Sequence, residues 1–255
     1  MVKPTIVFVP GAWHRPEVYA SVAQNLKANG DFPTISLPLP SNGAETPHES
    51  FNKDVEAIRD CLKQLVETEQ KDVVLVLHSY SGMPGNEAPV NFGKRYREEK
   101  GLKGGVVRLV FIMAFAMPEG FSPVAGGAEY PTWMKIDAEK GFVAVDQEDA
   151  KSVFYNDLPA DEADKWARKI QHQSIGVYTS TTTYAAWRHI PSTFVICKRD
   201  KTAFTQEMVE FMIQTAKKEE PSAFDIVEVR EDAAHCVVIS QPAWVADVVR
   251  RAAGQ

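Results

Sequence analysis

An unbroken run of apolar residues extends from Val73 to Leu77 and leads within two positions to Ser79. A strand that is apolar at every position has both faces covered, which is typical of a parallel sheet packed between helices. Leu109 to Phe115 forms a second such run, and Thr5 to Val9 and Thr193 to Cys197 also have the composition of strands. The sequence therefore predicts a fold built on a buried sheet.

Helical patterns alternate with these strands, because apolar residues recur at three- and four-residue spacing in the segments between them. One predicted helix begins near Pro16, and three others span 55–66, 206–217 and 242–252. Further strands are predicted at 34–37 and 224–229. This alternation predicts the α/β class, a mostly parallel sheet with helices on both faces.

Residues 118–188 interrupt the alternation. The segment is rich in aromatic residues, proline and glycine, and only 162–170 has a clear helical pattern. Ligands of open α/β sheets bind beyond the carboxyl ends of the strands. We therefore interpret 118–188 as an inserted cap over that edge, and 1–117 with 189–255 as one core domain.

Charge narrows the choice of partners. The chain has 255 residues and a formal net charge of -6. A negative chain is poorly suited to neutralising phosphates, so we expect no nucleic acid and no membrane surface as partner. A small molecule is the expected ligand, and the oligomeric state is open, with a homodimer among the alternatives.

The three cysteines, Cys61, Cys197 and Cys236, are widely spaced and form no pattern of metal ligands. Their number and spacing favour a reducing compartment over a disulfide framework. The first strand begins at Thr5, which leaves no room for a signal peptide. The longest apolar run, 106–117, is too short to span a bilayer. We expect a soluble, cytoplasmic protein.

Ser79 follows a buried strand, and two interpretations compete. Serine and glycine are common in turns, so the segment could be an ordinary strand ending. Alternatively, a strand-to-helix turn presents Ser79 as a nucleophile, which then requires a base and an orienting acid. Asp200 and His235 each follow a later strand and would lie at the same edge of the sheet.

Asp200 has rivals for the role of acid. It lies in the charged segment 198–201, which could be only a solvated loop. Asp225 opens a strand and Asp232 lies close to His235 in sequence, so both are weaker candidates. The order serine, aspartate, histidine matches that of the α/β-hydrolase fold.

Four motifs carry a resemblance to a known family. They are VPGAW (9–13), HSYSG (78–82), AWRHIPSTFVICKRD (186–200) and AAHCVVISQP (233–242). Together they resemble α/β-hydrolases, in particular the small cofactor-independent branch that includes plant methylesterases, hydroxynitrile lyases and fungal esterase-like proteins. Leu77 departs from the elbow pattern, which favours a small residue two positions before the nucleophile.

The resemblance implies a role for each matched position. Ser79 is expected to be the nucleophile, Asp200 the acid and His235 the base, with the main-chain amides of Ala12 and Tyr80 as the oxyanion hole. This chemistry carries its own nucleophile and base, so no metal and no organic cofactor is expected.

Aromatic residues of the cap suggest a binding pocket, because ligand pockets are mostly apolar and aromatic. We expect Trp133, Phe154 and Tyr155 to form its walls, although a small satellite core is the simpler alternative. Trp13 and His14, beside the expected oxyanion loop, are further candidates for substrate contact.

His78 and Cys236, which adjoin Ser79 and His235 in the sequence, have simpler interpretations. His78 is expected to pack beneath the turn, since neighbouring residues of a strand point to opposite faces. Cys236 is expected to be a small buried hydrophobe. Hydroxynitrile lyases of the family carry a lysine at the position of Cys236, which disfavours cyanohydrin cleavage.

The leading hypothesis is a serine hydrolase that cleaves a small, largely apolar carboxylic ester or lactone through an acyl-enzyme. A second hypothesis keeps the same triad for non-hydrolytic chemistry, as a lyase, cyclase or acyl transferase, for example in secondary metabolism. A third is a binding protein on a hydrolase scaffold, which would not require all three triad residues.

Overall fold

The computed structural model describes residues 2–124 and 129–254. The strands are β1 (Thr5–Val9), β2 (Thr34–Ser36), β3 (Asp72–His78), β4 (Gly105–Ile112), β5 (Met134–Asp137), β6 (Phe142–Val145), β7 (Gln173–Ser174), β8 (Ser192–Cys197) and β9 (Ile226–Arg230). Six of them form a parallel sheet in the order β2-β1-β3-β4-β8-β9. The predicted α/β class with a parallel sheet is confirmed.

Helices fill the connections between these strands, at the positions that the apolar spacing predicts and also at others, such as between β3 and β4, that it does not. They are α1 (Ala20–Ala28), α2 (Asn52–Lys63), α3 (Pro84–Glu87), α4 (Lys94–Glu99), α5 (Gln147–Val153), α6 (Ala160–Ala167), α7 (Gln206–Glu219), α8 (Val237–Ser240) and α9 (Pro242–Ala252). The helix α1 packs against α9, and α2 packs against α3. Within the described ranges, no helix is long and apolar enough to cross a membrane.

The core follows the apolar runs of the sequence. Val73 to His78 is buried along its whole length in the middle of the sheet. On the neighbouring strands, the rings of Phe111 and Phe194 are parallel, and Phe224 meets both edge to face. Full burial of such a side chain contributes about 1.5–3 kcal/mol, so these strands fix the sheet that carries the site.

Two strands differ from their predicted bounds. The run 109–115 is predicted to be a strand, but β4 covers Gly105–Ile112 because Met113 adopts a φ of 39° and ends it. The strand predicted at 224–229 begins later, at Ile226, because Phe224 has a φ of 49°. A backbone in the left-handed region cannot continue a strand.

Residues of the segment 118–188 form an antiparallel sheet of β5, β6 and β7 with the helices α5 and α6. The helix predicted at 162–170 is α6, Ala160–Ala167, and the sequence analysis missed α5. A bridge between Asn42 and Gln173 joins this segment to the loop after β2.

Candidate active site

Ser79 lies at the carboxyl end of β3, on a turn with unusual backbone geometry. Its φ is 57°, a left-handed conformation that is uncommon for a residue with a Cβ and costs on the order of 1–3 kcal/mol. The hydroxyl of Ser81 accepts a hydrogen bond from the His78 amide at 2.8 Å and lies 2.9 Å from the Val9 carbonyl. These contacts hold the turn in a conformation that presents Ser79 beyond the strand.

Glycines permit the close packing of this turn. A Cβ on Gly82 would lie 2.2 Å from the carbonyl oxygen of Phe115, and one on Gly85 would lie 2.1 Å from a methyl group of Leu77. The bulk of Leu77, which departs from the usual elbow pattern, is therefore accommodated by the missing side chain of Gly85 on α3.

His235 and Asp200 meet in the loops that follow β9 and β8. The Nδ1 atom of His235 lies 2.5 Å from Oδ2 of Asp200, and both side chains are almost fully buried. The other carboxylate oxygen of Asp200 accepts hydrogen bonds from the amide and the hydroxyl of Thr202, at 2.7 and 2.6 Å. The carboxylate therefore holds the proton of His235 on Nδ1, and Nε2 is left as an acceptor.

His78 lies next to His235 and binds its main chain. Its Nε2 donates to the carbonyl oxygen of His235 at 2.9 Å. Its Nδ1 is buried and has no hydrogen-bond partner within the described part of the chain. Burial and the neighbouring histidines hold the pKa of His78 well below its ordinary value, so the ring is neutral. The expectation that His78 packs beneath the turn agrees with this geometry.

The loop after β1 is fixed by Asn42, a residue that the sequence analysis did not single out. Its Oδ1 accepts from the Trp13 amide at 3.0 Å, and its Nδ2 donates to the carbonyls of Gly11 and His14. The amide of Ala12, between them, donates to no acceptor among the described residues. This loop therefore presents an unused main-chain donor.

A buried polar network fixes Tyr80, which follows Ser79. The Tyr80 hydroxyl and the Ser41 hydroxyl each donate to Oδ2 of Asp54 at 2.6 Å, and the Ser41 amide donates to Oδ1. Burial raises the pKa of Asp54 despite these donors. Sequence analysis did not identify Asp54, because this residue lies on α2, remote from the motifs. The Tyr80 amide lies in the first turn of a helical segment, where amides have no acceptor within the helix.

A cavity of about 270 Å³ opens over Ser79 and His235. Its walls are mostly apolar and rich in aromatic rings. Trp13 stacks on Phe154 with ring centroids 5.5 Å apart and meets Trp133 edge to face. The lining residues are Ala12, Trp13, Ser79, Tyr80, Phe115, Phe121, Pro123, Val124, Glu129, Tyr130, Pro131, Trp133, Met134, Phe154, Tyr178, Thr202, Ala203, Phe204, Met208 and His235.

His14 and Tyr155, which the sequence analysis placed at the pocket, lie behind its wall instead. The Nδ1 of His14 donates to the Ala12 carbonyl at 2.7 Å, so its Nε2 accepts from the Tyr155 hydroxyl at 2.8 Å. Burial lowers the pKa of His14 to about 4. The two side chains satisfy each other, which keeps their polar atoms away from the cavity. The pattern of strands and loops in the sequence does not show which side chains lie behind the cavity wall.

Cys236 packs beside this pair, with its Sγ 3.6 Å from Nε2 of His14. Burial raises the pKa of the thiol well above its ordinary value, so the side chain is neutral and unsuited to nucleophilic attack. No group of histidine, cysteine or carboxylate side chains suited to a metal ion occurs in the described ranges. A larger surface groove, about 660 Å³ around Tyr96 and Arg188, contains none of the predicted site residues.

Comparison with known proteins gives four findings. The model of the alpha/beta hydrolase family matches residues 6–248. The alpha/beta hydrolase nvfD of Aspergillus novofumigatus is 34% identical over 258 residues, which cover 100% of this chain and 98% of that protein. The Arabidopsis methylesterase MES16 has a similar structure, with a TM-score of 0.72 at 15% identity over 98% of this chain and 99% of the other. The structure of tomato methylketone synthase I complexed with 2-tridecanone is also similar, with a TM-score of 0.75 at 14% identity over 100% of this chain and 99% of the other.

Proposed function

Because the chain belongs to the alpha/beta hydrolase family, we propose that it is a serine hydrolase that cleaves a small, largely apolar carboxylic ester or lactone. One observation carries the proposal: Ser79 and His235 line the same cavity, and His235 is held by Asp200 at 2.5 Å. A nucleophile, a base and an orienting carboxylate in this arrangement are what acyl transfer requires.

In the first step, Nε2 of His235 removes the proton of the Ser79 hydroxyl while the serine oxygen attacks the carbonyl carbon. Asp200 stabilises the imidazolium that results, and it keeps the ring in the tautomer that leaves Nε2 free. The imidazolium then donates its proton to the departing alkoxide, so the ester C–O bond breaks and an acyl group remains on Ser79.

The amides of Ala12 and Tyr80 are the proposed donors to the oxyanion. Support comes from their place beside Ser79 and from the networks that hold them, through Asn42 and Asp54. A preorganised donor of this kind contributes about 3 kcal/mol to stabilising the transition state. Water, activated by the same histidine, then releases the acyl group and restores Ser79.

The cavity supports the substrate class. Its volume of about 270 Å³ lies just below the range of typical ligand pockets, roughly 300–1,000 Å³, which favours a small substrate. Aromatic rings from Trp13, Trp133 and Phe154 cover its wall, and these favour an apolar acyl or alcohol group.

The test is pre-steady-state hydrolysis of p-nitrophenyl esters of increasing chain length, followed by mass spectrometry of the protein. We expect a burst of p-nitrophenol with acyl mass on Ser79, and a loss of several orders of magnitude in the Ser79→Ala variant. The Cys236→Ala variant is the matched control, since its thiol lies beside the site but behind the cavity wall, and it should retain turnover.

Two other outcomes would change the assignment. Labelling of Ser79 by a fluorophosphonate, without hydrolysis of any ester, would favour the second candidate, in which the same residues catalyse cyclisation or acyl transfer. Absence of labelling in folded protein would refute the nucleophile and favour a binding role.

A further inference from the structure

Four consecutive residues of the cap, Phe154 to Asp157, contact the loops that follow the strands of the core sheet; we name this segment the clasp. The carbonyl of Phe154 accepts a hydrogen bond from the Cys236 amide at 3.3 Å. The hydroxyl of Tyr155 lies 2.8 Å from Nε2 of His14. The first half of the clasp therefore meets both the histidine loop and the loop after β1.

Asp157 makes the strongest of these contacts. Its Oδ2 accepts from the Ala234 amide at 2.8 Å and from the Ser240 hydroxyl at 2.7 Å. Ala234 directly precedes His235, so the carboxylate fixes the Ala233–Ala234 peptide, one peptide away from the histidine. Hydrogen bonds to an ionised acceptor are roughly twice as strong as neutral ones.

Asn156 makes the equivalent contact on the acid side. Its Nδ2 donates to the carbonyl oxygen of Arg199 at 3.1 Å, and Arg199 directly precedes Asp200. The Arg199 amide in turn donates to the carbonyl of Ala233 at 2.9 Å. Adjacent side chains of the clasp thus hold the two loops whose side chains form the histidine–carboxylate pair.

The clasp retains this geometry at a cost. One side-chain oxygen of Asn156 and one of Asp157 are buried with no partner in the described part of the protein. A buried polar atom without a hydrogen-bond partner destabilises the folded protein. In each side chain one polar atom binds a site loop, the loop of Asp200 for Asn156 and that of His235 for Asp157, while the other side-chain oxygen has no partner in the described part of the protein.

We propose that the clasp positions His235 and Asp200 for the reaction, with Asp157 as the principal positioning residue. The inference rests on the proposed function. Displacement of a reacting group by about 1 Å can lower a rate by about 100-fold, and the Ala234 amide is one peptide away from the base. Asp157 acts through that peptide and does not contact the cavity.

The experiment compares Asp157→Ala with Asp157→Asn, and with Asp164→Ala as control. Asp164 is another aspartate of the cap, and it pairs with Lys151 of the neighbouring helix α5 at 2.8 Å. We expect Asp157→Ala to lower kcat about 10- to 100-fold with KM changed less than about twofold, on activity normalised to folded protein. Asp157→Asn keeps an acceptor oxygen and should recover most of kcat, and Asp164→Ala should keep it all.

A wild-type kcat in folded Asp157→Ala would overturn the proposal. If that variant does not fold, Asn156→Ala is the substitute, because it breaks only the contact to Arg199; its kcat should fall at least about threefold at unchanged KM, and an unchanged kcat would overturn the proposal equally.

A readout without substrate separates this inference from the proposed function. The imidazole proton shared by His235 and Asp200 can be followed by NMR in wild type and variants. If no substrate or fluorophosphonate reacts with wild type, the proposed function fails, yet Asp157→Ala should still shift or broaden this resonance while Asp164→Ala leaves it unchanged. An unchanged resonance in Asp157→Ala would refute the positioning role.

Discussion

Buried His14 makes the stability of the protein depend on pH in a calculable way. Its pKa is lowered from 6.5 to about 4, first by burial and also by the nearby His235. Between these two values the unfolded chain binds a proton that the folded protein does not. Acidification through this window therefore favours unfolding, and stability is fully present only above about pH 6.5.

The size of the effect follows from the two pKa values. Between about pH 7 and about pH 4.5, His14 should contribute a loss of about 2 kcal/mol in the free energy of unfolding. The His14→Gln variant removes the titration, and its side chain can still donate to the Ala12 carbonyl and accept from the Tyr155 hydroxyl. The variant should therefore lose about 2 kcal/mol less than wild type over the same range.

Urea unfolding at a series of pH values, followed by tryptophan fluorescence, measures this difference. His189→Gln is the control, because His189 is exposed. This variant should show the same pH dependence of the free energy of unfolding as wild type. Equal pH dependence in wild type and His14→Gln would refute the assignment of His14 as a buried neutral base. It would mean that His14 reaches water or a counter-charge in the folded state.

Two further predictions concern the packing around Ser79. Tyr80→Phe removes a donor from buried Asp54 and should lower the free energy of unfolding by about 1–3 kcal/mol, whereas Tyr96→Phe on the surface should change it by less than about 0.5 kcal/mol; equal urea midpoints would contradict this. Gly82→Ala places a Cβ 2.2 Å from the Phe115 carbonyl, so thermal unfolding should show a loss of about 3 kcal/mol with reduced ester hydrolysis, and a wild-type melting curve would show that the turn has room.

The strand-end residues were accessible to sequence analysis for a simple reason. In a parallel sheet, the residues that follow buried strands meet at one edge, so Ser79, Asp200 and His235 could be predicted to lie together. Their side chains do occupy one edge, and two of them line the cavity. Their catalytic roles remain a prediction until the serine is labelled.

The supporting residues could not be found in the same way. Asn42, Asp54 and Asp157 act through contacts with segments remote in sequence, such as the one between Asp157 and Ala234, 77 residues apart. No periodicity or motif marks a polar residue whose partner is set only by the tertiary fold. The same limit explains Tyr155, whose aromatic character suggested a pocket wall although its hydroxyl is paired behind it.

Ser41 and Asn42 are neighbours in the chain, yet they bind different parts of the site. Ser41 binds the carboxylate that holds Tyr80, and Asn42 binds the main chain on either side of Ala12. The distance between the two proposed oxyanion donors, the amides of Ala12 and Tyr80, therefore depends on the contacts of one dipeptide outside the cavity, Ser41-Asn42. A directed-evolution library confined to this dipeptide would tune both amides together, whereas libraries built on the cavity wall would change substrate fit and leave their spacing alone.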